Sequence, residues 1–177
     1  MKKNKTDAQN FQTIGMGKEY AKIGEELVST LDELIKQVNE LLDILHKEIE
    51  KYPLKEQSMN AFEQGIFGIC DMIVEKQEEL VKKQMSDEKE NIALMIQKND
   101  IQGVYDDVLK SLRLLPTLRK EITADIQRNS TMATYPNSLK RRTIQTRIDL
   151  LKSSIDCFEM QRNFVIELYG LEAGNAL

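Results

Sequence analysis

Tryptophan is absent from this chain, and only 6% of its 177 residues are aromatic. A core must therefore be filled by Leu, Ile, Val and Met. With 3 Pro and 8 Gly, turns are scarce. That excludes a sandwich or barrel of many short strands, which needs a turn signal roughly every 8 to 12 residues. The 2 Cys, Cys70 and Cys157, do not make a disulfide framework. Flanked by core-type positions, they read as small buried hydrophobes.

The sole histidine, His46, narrows the chemistry further. With Asp43 and Glu50 it forms a polar row at helical spacing, and Asp43-x-x-His46 is half of a carboxylate and histidine metal motif. A helical di-metal site takes such a motif from each of two helices, so no metal site is expected. Ser-His-Asp and Cys-His catalysis would also have to use His46, which lies in mid-helix with no strained turn to present a nucleophile. The glycines give no phosphate cradle: Gly15-x-Gly17 lacks a third glycine and a preceding strand. Gly65-x-x-Gly68 reads as a close helix contact. Gly170-x-x-x-Gly174 has no apolar span around it, unlike a membrane dimer motif. No cofactor is expected.

Long apolar runs are missing too. The basic start, Lys2, Lys3 and Lys5, is not followed by the apolar stretch of a signal peptide, and no run approaches the ~18 residues of a membrane span. A cytoplasmic location is the expectation. The glycosylation patterns at Asn4 and Asn129 then carry no weight.

What the chain does have is helical periodicity. Tyr20, Ile23, Leu27, Leu31, Leu34, Val38, Leu41, Leu45, Ile49 and Tyr52 follow at steps of three or four, on one side of a helix. Val28, Ile35, Leu42 and Ile49 widen this stripe beyond a two-stranded seam, so the helix needs several neighbours. The helix is expected to begin near Lys18, or nearer Glu25 because Gly24 weakens its first turns; Pro53 stops it. A second helix is expected from between Leu54 and Ser58, with Phe62, Ile66, Ile69, Ile73, Leu80 and Met85 on its packed face. Ser86-Asp87-Glu88 resembles a helix start, and Asn99-Asp100 with Gly103 marks a turn.

The third region shows Val104, Val108, Leu112 and Leu115, then Leu118, Ile122 and Ile126 after a kink or break at Pro116. Arg128 to Ser138 is loop-like. Asn137 or Ser138 opens a last helix with the stripe Ile144, Ile148, Leu151, Ile155, Phe158, Val165 and Tyr169, ending at Gly170. No strand alternation or long repeat is present. The expectation is an all-α fold: an elongated antiparallel bundle of about four long helical regions, coiled-coil-like in its spacing. Residues 1–17 are expected to be a flexible arm, 18–170 one helical-bundle domain and 171–177 a flexible tail.

The formal net charge of −4 is unevenly spread: residues 1–100 carry −6, 101–150 carry +4 and 151–177 carry −2, and all seven Arg lie after position 112. Acidic and basic faces are expected to meet within the bundle or between subunits. The sharper reading is an anionic partner held by Arg128, Lys140, Arg141, Arg142 and Arg147. Only Tyr135 stands near them for stacking, which disfavours nucleic acid.

These features point to a non-enzymatic helical interaction or scaffold protein that self-associates and docks a protein partner through helix faces. Packing and self-association are expected through Leu27, Leu31, Leu34, Val38, Leu41, Leu45, Ile148, Leu151 and Ile155. The alternatives are a peripheral protein of anionic membrane surfaces and a chaperone or neutralising partner of another protein.

Overall fold

The computed structural model describes residues 17–54, 58–132 and 135–171, with side chains from Tyr20 onward. Within them lie four helices and no strand: α1 (Gly17–Ile49), α2 (Ala61–Gln97), α3 (Ile101–Thr131) and α4 (Asn137–Tyr169). The fold is an all-α helical bundle. Apart from Gly17, which opens α1, and Leu171, the expected arm and tail lie outside the described residues.

Local signals explain most boundaries. Asn60 caps α2: its Oδ1 accepts from the Glu63 amide at 2.8 Å, while its Nδ2 donates to the Glu63 carboxylate at 2.8 Å. This reciprocal cap satisfies a free first-turn amide and places the start after Asn60, not between Leu54 and Ser58. Asn99 closes α2 in the left-handed region (φ 53), and the Asp100 side chain takes the Gly103 amide at 2.9 Å to begin α3. Gly170 (φ 65) ends α4, with the Leu171 amide donating back to the Ile166 carbonyl at 2.9 Å. That left-handed stop is one glycine accepts without a side-chain clash.

Two expected helix breaks, at Ser86 and Pro116, are absent, and α1 begins at Gly17, beside the expected Lys18. α2 runs unbroken through Ser86: Val81 and Met85 before it are half-buried and Ile92 beyond it is buried, whereas a capping serine would need non-helical backbone. α3 runs through Pro116; Leu115 just before it and Ile122 beyond it are both buried, so packing outweighs the one lost amide bond. α1 starts ahead of Gly24, whose missing side chain is needed: a Cβ there would lie 2.6 Å from Cγ of Tyr169. The Tyr169 ring stacks on Tyr20 with centroids 4.3 Å apart.

The described residues divide between two compact units. The first draws on the described residues of 17–37, 88–114 and 155–171. Its core includes Leu27, Leu31, Leu34, Ile92, Val104, Val108, Phe158 and Val165. There Arg162 donates to Asp32 at 2.6 Å, Gln161 to Asp107 at 2.8 Å and Lys89 to Asp156 at 3.2 Å, so α4 is tied to α1, α3 and α2 in turn. The second draws on Val38–Asp87 and Leu115–Ser154. It buries Val38, Leu41, Leu45, Val74, Ile122, Leu139, Ile144, Ile148 and Leu151. Here too α4 makes the polar links to each of the other three helices. Asn137 and Arg141 meet Pro53 and Ile49 in reversed order, so α1 and α4 run antiparallel in this unit.

Ile23, Leu112 and the expected packed face of α2 depart from the periodicity: Ile23, Leu112, Phe62, Ile66, Ile69, Ile73 and Leu80 are all exposed.

Candidate functional site

The basic cluster of α4 faces inward. Arg141 donates from Nη1 to the carbonyls of Ile49 and Tyr52, at 3.0 Å each, and so closes the C-terminal end of α1, where carbonyls lack helical partners and the dipole is negative. Lys140 is buried, its Nζ lying 5.1 Å from the Tyr52 ring centroid. Arg147 donates from Nε to Asp125 at 2.9 Å and from Nη1 to Glu121 at 3.4 Å. Arg128 stands 3.7 Å from the same Asp125 but keeps 64% of its side chain exposed. Of the five cations, only Arg128 is turned mainly to solvent. The cationic groups that an anionic surface would need are thus engaged within the chain.

Arg142 has the largest structural consequence. Its two terminal nitrogens pair with Asp71 and Glu78, both on α2. Those carboxylates are seven residues apart, two helical turns, and therefore on one face. The hydrogen bond to Glu78 is the main cause of the raised pKa of the guanidinium. To bring both acids to Arg142, α2 turns its Asp71, Val74, Glu78 and Val81 face to the bundle. The apolar residues rather more than a third of a turn round the helix are then left facing out.

Phe62 is 77% exposed, Ile69 63%, Met72 70% and Leu80 59%, with Ile66 and Ile73 also exposed. Singly exposed apolar residues are ordinary, but a contiguous row on one helix marks an interaction site. Gly65 and Gly68, expected to make a close helix contact, face open space: a Cβ at either would meet nothing within 4 Å. Beside Ile73 and Leu80 a cleft of about 520 Å³ opens between α2, α3 and α4, with Met132 and Leu150 on its apolar side and Asn129, Thr146 and Arg147 on its polar side.

The residues expected for packing and self-association are elsewhere. Leu27, Leu31, Leu34, Val38, Leu41, Leu45, Ile148 and Leu151 are buried inside this chain, and Ile155 is half-buried. Already covered, they offer nothing for another chain to dock on. His46 is not on a solvated face: it is half-buried, and its Nδ1 is enclosed without a hydrogen-bond partner. Among the described residues no group of three His, Cys, Asp or Glu could hold a metal ion. Burial, and then the nearby Glu88 carboxylate, push the Cys157 thiol up to about 11, away from a reactive thiolate. No described helix is long and apolar enough to cross a membrane.

Periodicity alone missed the α2 surface. The signal that could have found it is the pair Asp71 and Glu78, spaced to share the face that also carries Val74 and Val81, with an arginine-rich helix available to pair with them. Comparison of the chain with protein-family models, with curated proteins and with solved structures finds no match.

Proposed function

We propose that this chain is a non-enzymatic helical interaction protein whose docking surface is the outward apolar face of α2. The observation that carries this is the orientation of α2: its acids are drawn inward by Arg142 while Phe62, Ile66, Ile69, Ile73 and Leu80 are held in solvent. A folded helix gains nothing for its own chain from that exposed row. The stripe has coiled-coil spacing, with Ile66, Ile73 and Leu80 at intervals of seven and Phe62 and Ile69 each four residues before Ile66 and Ile73. A partner helix laid along it would bury the row as knobs between its own side chains. As a chaperone or neutralising partner of another protein, the chain would use the same face.

A benzophenone-bearing residue at position 69, in the purified protein and in cells that make it, tests the reading. A discrete photo-adduct from position 69 and none from exposed position 33 is the expected result. No adduct from position 69 in either setting would overturn it.

A further inference from the structure

Resting on the reading of this face as a docking surface, we propose that its occupant is the α2 helix of a second copy of the chain, laid antiparallel about a two-fold axis near Asp71 and Met72. The stripe is self-complementary in that direction. Heptad layers that pair one register position with the other in an antiparallel coil set Phe62 against the partner subunit's Leu80 and Ile69 against the partner subunit's Ile73. The reciprocal contacts follow from the two-fold axis.

Charge selects the direction. Lys76 and Lys83 continue the same stripe and are exposed. A parallel pair would stack Lys76 on its own copy and Lys83 on its own copy, two like-charge layers. The antiparallel pair lays the Lys76 stem over the partner subunit's Ile66, with its ammonium toward the partner subunit's Glu63, a residue that is exposed and acidic. Gly65 flanks the stripe and has no side chain to hold a second helix away. Met72, on the same flank, meets its own copy across the axis.

The area is sufficient. The exposed parts of Phe62, Ile66, Ile69, Met72, Ile73 and Leu80 amount to roughly 600–700 Å² per copy, so a pair buries about 1,300 Å², at the lower end of specific interfaces. The apolar wall of the neighbouring cleft, from Ile73 and Leu80 to Met132, continues the stripe and receives the flanking side chains of the second helix. The resulting dimer is reversible and concentration-dependent.

Light scattering and sedimentation velocity over a concentration series up to about 100 µM, the range of weak to moderate affinities, should show a mass rising from 20.4 kDa toward twice that value. Ile73→Asp should abolish the rise with helical content unchanged, since that side chain is exposed in the single chain. In a Cys70→Ser background, Phe62→Cys copies should form disulfides with Leu80→Cys copies and not with themselves. Self-crosslinking of Phe62→Cys would overturn the antiparallel arrangement. A monomer throughout the series would overturn the dimer. A monomer that still yields a photo-adduct of another mass from position 69 would overturn the dimer alone and leave the docking reading standing, whereas a monomer without any adduct would remove both.

Discussion

Arg142 of α4 bridges Asp71 and Glu78 of α2, and the face of α2 that carries both acids is the one turned to the bundle. Arg142→Met should lower stability by about 1–2 kcal/mol, an amount moderated because all three side chains keep about a third of their surface in water. Hydrogen exchange should accelerate over residues 61–80 more than elsewhere. Unchanged exchange there would show that apolar contacts alone orient the helix.

Adjacent residues give a sharper test of the same orientation. Val74 is 3% exposed and Ile73 54%. Val74→Asp buries an unpaired charge and should cost about 3 kcal/mol or more, whereas Ile73→Asp, measured at concentrations where the chain is monomeric, should stay within about 0.5 kcal/mol. Equal losses in urea melts would contradict the helix rotation.

Gly24→Ala would normally favour a helix by about 1 kcal/mol. Here the added methyl meets Tyr169 at the base of its ring, with Cγ at 2.6 Å and Cβ at 3.0 Å, so flexible side-chain motion gives little relief. A net destabilisation of about 1–3 kcal/mol is expected. Adding Tyr169→Ala should return part of it, which a double-mutant cycle measures.

Burial, then the charge of Asp107, raises the Glu88 carboxyl above its ordinary range, against a smaller opposing effect of Lys110. A carboxyl raised in this way binds its proton more tightly folded than unfolded. Its penalty is absent below the ordinary carboxylate pKa and develops as pH rises through the raised one. Glu88→Gln should therefore stabilise the protein at pH 7 and change little near pH 4. An equal effect at both pH values would remove the ionised carboxylate as the cause.

Thiol labelling separates the cysteines. Cys157 is 1% exposed and pushed up to about 11, while Cys70 is half-buried. In the native protein a maleimide should modify Cys70 well before Cys157, and in denaturant both should react alike. Early loss of Cys157 by mass spectrometry would contradict its burial.

The bundle was legible because α1 obeys a single rule: Leu27, Leu31, Leu34, Val38, Leu41 and Leu45 recur on one face, and that face is buried. α2 is different. Its apolar residues lie on two faces, and periodicity favours the longer row, Phe62 to Leu80, over the shorter row that Val74 and Val81 share with two acids. The buried row is the one that pairs with the distant Arg142, and a pairing across 71 and 64 residues of sequence leaves no periodic trace. Ser86 and Pro116 were misleading for the converse reason: local break signals are weak beside packing on both sides of them. The basic cluster was visible, but its neighbours, Asp125 and the α1 carbonyls, come only with the fold.

Since α4 supplies the polar links to the other described helices in each unit, and it follows them in the chain, synthesis delivers the clasp after the helices it ties. When Leu45 has left the ribosome, some 90 further residues must be added before Asn137 appears, about 5 to 20 s at ordinary elongation rates. During that interval the α1 stripe lacks its principal cover, and Asp32, Asp71, Glu78 and Asp125 lack their arginines. Closure of the nascent bundle therefore awaits translation of α4, and a pause in decoding before Asn137 would prolong the aggregation-prone period in direct proportion.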